Sequence, residues 1–396
     1  MGAPWPSVSL GTVLRRRKDE ITLRDDIIYR QVTVRLWNKG IILRGQQPGS
    51  EIKTKRQFRV SEGQLLLSRI DVRNGAIGLV PPELHGAVVS NDFWAYEVDV
   101  ARLAPEYLAM YVSTANFIDS ANRTSSGTTK RIRAEEDALM AITVPLPPLP
   151  EQQRIGERVE ALARRVEEAR GLRRKVVQEA KAFERSASRT VFSAYLEYSV
   201  VTLESVCSAI VDNLHSNPVY AEGGEMPCIR SQDVGWGKLY LGQAQKTTKE
   251  EYMCRTRRGE PSANDIVFVR EGGGTGKAAI IEPGQNLSLG QRVMLLRPDK
   301  DRVVPRFVLY QLLSPLIYEQ QVLPRSKGSA SPHLNISALR KFEFILPPLS
   351  AQRTIVEYLD TLQAKVDGML RLQAQTQKEV NALMPSILAK AFAGQL

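Results

Sequence analysis

Three cysteines and three histidines in 396 residues leave little room for thiol or metal chemistry. Cys207, Cys228 and Cys254 are odd in number and widely spaced, which argues against a disulfide framework and for a reducing compartment. His215 lies among them, but the separations lack the short paired spacing of structural zinc, and buried free thiols are the simpler reading. His85, His215 and His333 show no pairing suited to a metal or a nucleophile. No apolar run approaches the ~20 residues that cross a bilayer. The opening MGAPWPSVSL has no apolar signal core, and Pro6 stands where a myristoylation signal wants serine or threonine. A soluble cytoplasmic protein is expected. Catalytic motifs are missing as well. EGGGTGKA (Glu271–Ala278) would need glycine at Glu271 and serine or threonine at Ala278 to be a phosphate loop. There is no asparagine-proline-proline-aromatic motif of adenine methyltransferases, no glycine-rich cofactor motif and no Asp/Glu-x-Lys nuclease element in strand context. The expectation is a chain with no catalytic residue and no metal of its own.

What is present is positive charge and a repeat. The net charge is +11 and the pI about 9.5, in a chain that is 43% hydrophobic and 24% charged, an ordinary globular composition. The excess is spread along the chain with no basic tail. That suits a protein touching nucleic acid along its length, and also a merely soluble basic protein.

Displacing the sequence by 200 positions aligns Leu146–Leu196 with Leu346–Leu396 without a gap, and 15 of 51 residues are identical. Both copies begin LPPL, as VPLPPLPEQQRI (Val144–Ile155) and ILPPLSAQRTI (Ile345–Ile355). This is an internal duplication. In the first copy Ile155, Val159, Leu162 and Val166 fall at alternating steps of four and three; Ile355, Leu359, Leu362 and Val366 do the same in the second. That is the seam of a coiled coil. A step of three leads on to Ala169 and Met369, and an extra step of three to Leu172 and Leu372 reads as a stammer, with Val176, Ala180 and Phe183 continuing one seam and Thr376, Val380, Leu383 and Ile387 the other. Pro385 is expected to bend or end the second helix. The prolines read as a rigid connector that closes a domain and aims a helix; Pro150 suits a first turn and Ser350 an N-cap. Each helix of about 40 residues would span roughly 60 Å, and antiparallel pairing is natural because a whole domain separates them.

The segments before the helices echo one another more loosely. VSLGTVL (Val8–Leu14) matches VTLESVC (Val201–Cys207), and LLLSRIDVRNGAIGLV (Leu65–Val80) matches IVFVREGGGTGKAAII (Ile266–Ile281): strand, arginine, glycine-bearing turn, strand. PEYLAMYV at Pro105 matches PRFVLYQL at Pro305. The expected organisation is α+β, or mixed α/β: a globular domain at 1–145, a long helix at 146–196, a second domain at 197–345 and a second helix at 346–396. Two readers of different objects held by one frame would look like this.

Domain, LPPLPEQQRI helix, domain, LPPLSAQRTI helix: this order resembles the specificity (S) subunit, HsdS, of Type I restriction-modification systems, over nearly the whole chain. LLLSRIDVRNGAIGLV followed by VVSNDFWAYEVD looks like part of a target recognition domain of that family, and NLHSNPVYAEGGEMPCIRSQDVGWGKL (Asn213–Leu239) like the opening of another. The second copy departs from the usual PEQ, reading SAQ, but keeps Gln352. The resemblance implies that each domain binds half of a split sequence in double-stranded DNA. It implies that the helices set the spacing and dock two methyltransferase (M) subunits, with restriction/translocase (R) subunits joining that core. Adenine methylation would use S-adenosylmethionine in the M subunit, and cleavage ATP and Mg in the R subunit, so this chain needs no cofactor and takes part in DNA methylation and host defence without catalysing either. The alternative is a coiled-coil scaffold that binds only proteins.

Base-edge readout uses Arg, Lys, Asn, Gln, Ser or Thr on loops. The candidates are Arg69, Arg73, Asn74, Thr128, Lys130, Arg131 and Arg133 in the first domain. In the second they are Arg270, Lys277, Gln291, Arg292, Arg325, Lys327 and Ser329. For each one a solvated charge or a structural ion pair is the competing reading.

Overall fold

The computed structural model describes residues 5–126, 133–214, 216–326 and 332–396. The chain forms two compact units. The first comprises Met1–Arg173 with Ala374–Leu396, the second Arg174–Gln373. The long helices run Leu149–Ser193 and Leu349–Phe392, so each unit holds the start of one helix and the end of the other.

In the first unit an antiparallel sheet has the order Leu14–Arg17, Phe93–Val98, Leu65–Ser68, Ile77–Leu79. The second unit repeats it with Cys207–Asp212, Val293–Pro298, Ile266–Val269 and Ala278–Ile280. The last two strands of each sheet are those of the echoed strand-turn-strand motif, and Leu65–Ser68, Ile266–Val269 and Ala278–Ile280 are wholly buried. Helices at Pro105–Tyr111 and Pro305–Leu313 follow, each with proline in its first turn. The units part in their second sheet. The first has five strands, in the order Asp19–Thr22, Arg56–Arg59, Val88–Val89, Ile28–Val34, Ile41–Pro48. The second has three short strands, Lys246–Thr247, Met226–Ile229 and Ser288–Leu289, beside a helix at Lys249–Thr256.

The LPPL joint is built the same way twice. Ser7–Ser9 pairs with Thr143–Pro145, and Val200–Thr202 with Glu343–Ile345. Each short ladder closes its domain just before the prolines. The glutamine that follows is fully buried. Gln152 Nε2 donates to the carbonyls of Arg102 and Pro147, both at 2.8 Å, and its Oε1 accepts from the Ala104 N–H at 2.8 Å. Gln352 donates to the carbonyls of Arg302 (3.3 Å) and Pro347 (2.9 Å) and accepts from the Val304 N–H (2.8 Å). One amide thus ties the start of the long helix to the loop before the helix that begins at Pro105 or Pro305. It satisfies backbone groups that burial would otherwise orphan. Replacing Gln152 by alanine is expected to destabilise the first unit by about 2 kcal/mol, and Gln152→Glu by more, since a carboxylate repels the two carbonyls. Urea unfolding checks this; an unchanged midpoint would show that the amide is dispensable. Ser350 stands inside the first turn rather than at the N-cap, because the helix begins at Leu349 and the Gln352 N–H already donates to the Pro348 carbonyl.

Each unit is closed by the tail of the other half's helix. In the first, Phe392 lies 4.9 Å from the Tyr107 ring and 5.3 Å from Tyr111, centroid to centroid, in a core with Ile155, Val159 and Leu388. In the second, Phe192 lies 5.8 Å from Phe307 in a cluster with Ile355 and Leu359. The start of one helix therefore meets the end of the other in both units, which is antiparallel packing. Ile155, Val159, Val166, Ile355, Leu359 and Val366 are buried, and Leu162 and Leu362 half-buried.

Beyond Val166 the seam departs from the sequence expectation. Leu172 is 60% exposed and Leu372 63%, so neither belongs to it. Phe183 and Leu383 are exposed too. Ala180 is buried, and Val176, Thr376, Val380 and Ile387 half-buried, as expected, but the seven-residue spacing reaches Ala180 from Val166 through half-buried Arg173, and runs from Val366 through half-buried Gln373. There is no stammer. Periodicity counts apolar residues, whereas long polar side chains bury their stems and hold a seam position. The second helix also runs on past Pro385 to Phe392. No helix among the described residues is long and apolar enough to cross a membrane.

Candidate nucleic-acid interface

In both units the arginine after the buried strand is held by the same backbone frame. Arg69 N–H donates to the Asp92 carbonyl, and its own carbonyl accepts from Ala134. Arg270 N–H donates to the Arg292 carbonyl, and its carbonyl accepts from Leu334. The side chains then diverge. The Arg69 guanidinium lies 4.8 Å from the centroid of the buried Trp94 ring, with Arg16 at 4.9 Å from the same ring. Arg16 pairs with Glu136 at 3.0 Å, and the Tyr96 hydroxyl donates to Glu136 at 3.0 Å, its pKa pushed up chiefly by burial. This arrangement fixes two cations by their flat faces. Arg270, by contrast, has a side chain only 7% exposed, 2.6 Å from Glu271 and 3.7 Å from Asp212. It is a buried charge neutralised by two carboxylates, the structural alternative for that position.

Arg73 and Asn74 lie half-buried on a 3-10 turn, Val72–Asn74, that ends in left-handed Gly75 (φ 72°). Arg133 reaches back to Asp92 at 3.1 Å, so part of its charge is spent within the unit. Among the second unit's candidates Arg292 is exposed. Its φ of 70° is a left-handed conformation that few bulky residues adopt, and its side chain faces solvent. Lys277 and Gln291 are half-buried in the adjoining loops. Arg325 is exposed, its guanidinium 5.7 Å from the Phe342 ring and donating to the Gln321 carbonyl at 2.9 Å. Thr128, Lys130, Arg131, Lys327 and Ser329 lie outside the described residues.

The glycine-rich run Glu271–Ala278 is a packing device. The N–H groups of Gly272, Thr275, Gly276 and Lys277 all donate to protein carbonyls, which leaves them unavailable to a phosphate. Gly276 has φ 92°, and a Cβ there would lie 2.7 Å from the Tyr318 ring. Of the cysteines, Cys228 is buried and Cys207 half-buried, its thiol pushed up to about 12 by burial, whereas Cys254 is exposed. Sequence reasoning missed Arg16, Trp94 and Glu136, which carry no local motif. It also missed the hairpin tip at 35–40, where the turn-forming Asn38 and Gly40 between alternating strands were the available signal.

The frame is thus built twice, and the loops it carries differ between the units. The chain matches the family described as Type I restriction modification DNA specificity domain over residues 5–176 and again over 195–380. It belongs to that family. It is 26% identical over 314 residues to the Type I restriction enzyme EcoBI specificity subunit of Escherichia coli, covering 72% of this chain and 65% of that one. It is 24% identical over 313 residues to the StySPI specificity subunit of Salmonella potsdam, covering 74% and 66%. The chain thus spans just under two thirds of the length of these relatives. Among solved structures, the HsdS subunit from Thermoanaerobacter tengcongensis superposes with a TM-score of 0.63 at 25% identity, covering 100% of this chain and 98% of that one. A chain from a structure described as the structural basis of complex assembly and conformational transition of the type I R-M system shares the fold, with a TM-score of 0.75 at 23% identity and full coverage of both.

Proposed function

We propose that this chain is the sequence-specific DNA-recognition subunit of a Type I restriction-modification complex. Each unit reads one half of a split site in double-stranded DNA, and the paired helices set the spacing between the halves. The observation that carries this reading is the internal repeat with unlike inserts: the four-stranded sheet, the joint and the glutamine are common to both units, and the second sheet is not. A frame that is kept while the inserts differ suits two half-sites of different sequence.

The chain itself catalyses neither methylation nor cleavage. Methyltransferase subunits carrying S-adenosylmethionine act on adenine, and translocating nuclease subunits using ATP and Mg join them. Two methyltransferase subunits are proposed, because each unit exposes one equivalent pair of apolar helix residues. These are Leu172 with Leu383 in the first and Leu372 with Phe183 in the second. Exposed leucine and phenylalanine on otherwise polar helix faces suit a protein partner.

The test is expression with the cognate methyltransferase subunit, followed by mapping of methylated adenines across the genome. A split motif with a constant spacer is the expected result. Methylation absent, or present at a continuous motif, would overturn the reading. A scaffold without DNA readout would assemble with methyltransferase subunits but show no salt-dependent affinity for duplex DNA.

A further inference from the structure

The hairpin formed by Ile28–Val34 and Ile41–Pro48 in the first unit ends in an unusual tip. Arg35, Leu36, Trp37, Asn38 and Lys39 are all exposed, Trp37 by 68%. Trp37 and Asn38 both have left-handed backbone, with φ of 62° and 53°. Asparagine tolerates that conformation; a bulky aromatic is strained by it. The strain is held in place by the turn bearing Arg73 and Asn74. Trp37 N–H donates to the Asn74 carbonyl at 2.7 Å, and Asn38 N–H to the Gly75 carbonyl at 2.9 Å. A Cβ on Gly75 would come within 3.0 Å of Asn38, so glycine is needed there for the clamp to close.

Nothing in the free unit calls for an indole at this place. It fills no core, and glycine or asparagine would suit the backbone better. Its surroundings are cationic. The two clamped segments, 35–40 and 69–76, hold Arg35, Lys39, Arg69 and Arg73 against a single carboxylate, Asp71. Arg35, Lys39 and Arg73 form no ion pair among the described residues. An exposed aromatic set among unneutralised cations is complementary to a polyanion with flat apolar bases, and less so to a protein surface.

We propose that this hairpin tip is a second DNA-contacting element of the first unit. Trp37 packs its indole against base edges and sugars of one half-site, while Arg35 and Lys39 meet the flanking phosphates. The inference rests on the DNA-recognition reading above. It applies to one half-site only, because the second unit builds the corresponding region from three short strands and the helix Lys249–Thr256.

The test uses the complex with methyltransferase subunits and a duplex carrying the mapped site. Trp37→Gly is expected to lower affinity on the order of ten-fold. Its melting temperature should be equal to or above the wild type, since glycine accepts the left-handed backbone. Trp37→Phe should keep most of the affinity. Arg35→Ala with Lys39→Ala should reduce the slope of log affinity against log salt by about 2. Equal affinity for Trp37→Gly and wild type would overturn the proposal while leaving DNA recognition intact. Loss of methyltransferase subunits from the Trp37→Gly complex would overturn it in favour of a protein contact. A wild-type complex that binds no duplex would remove the underlying reading and this proposal together.

Discussion

Replacing Phe392 by alanine is expected to lower the stability of the first unit by about 3–4 kcal/mol and to spare the second. The ring is 8% exposed and meets two tyrosines of the helix Pro105–Tyr111 in the chain's other half. Its loss leaves a cavity between Tyr107, Tyr111 and the start of the first long helix. Those elements are fixed by their own hydrogen bonds, such as Tyr107 hydroxyl to the Pro145 carbonyl at 3.0 Å, and cannot collapse to fill it. Hydrogen exchange should therefore show lost protection in Leu65–Ser68 and Phe93–Val98, with Ile266–Val269 unchanged. Phe192→Ala should give the mirror-image pattern, because Phe192 fills the corresponding place against Phe307. Equal loss in both units from either change would show that the closing aromatics do not act locally.

Changing Arg73 and Asn74 together to alanine is expected to weaken recognition of one half-site by about 100-fold and leave the other untouched. The turn itself should survive. It is held by backbone bonds, from Asn74 N–H to the Asp71 carbonyl and from Gly75 N–H to the Val72 carbonyl, and these need neither side chain. Methylation of duplexes altered in one half-site at a time is the measurement. An equal loss at both half-sites would count against separate readers.

The architecture was largely legible in the sequence because it is written twice. The 200-position displacement exposed the joint and the helices, and the looser echo 201 positions apart exposed the strand-turn-strand motif, without any appeal to three-dimensional contacts. The role of Gln152 and Gln352 was not legible, since a buried amide looks like any surface glutamine until its three partners are placed. Leu172 and Leu372 misled for a related reason. Apolarity predicts burial only where a partner exists, and at that turn the seam takes Arg173 and Gln373. The candidate interface was less legible still. Arg69 and Arg270 occupy one backbone position, yet one stacks on Trp94 and the other is buried between carboxylates. What separates them is Trp94 against Met294 on the neighbouring strand, the carboxylate of Asp212 on another strand, and that of Glu271 next along the chain. Trp37 was invisible because a single exposed aromatic in a loop has no periodicity to announce it.

The exchange of helix tails has a consequence for synthesis. The second unit is complete once residue 373 has been made, but the first unit waits for Leu388 to Phe392. The domain that leaves the ribosome first is thus finished last. Throughout the translation of about half the chain its tyrosine pair faces solvent, against the usual order in which amino-terminal domains fold first. A nascent chain stalled before Leu388 would carry a folded second unit and an uncovered aromatic surface on the first, the kind of species that chaperones and proteases select.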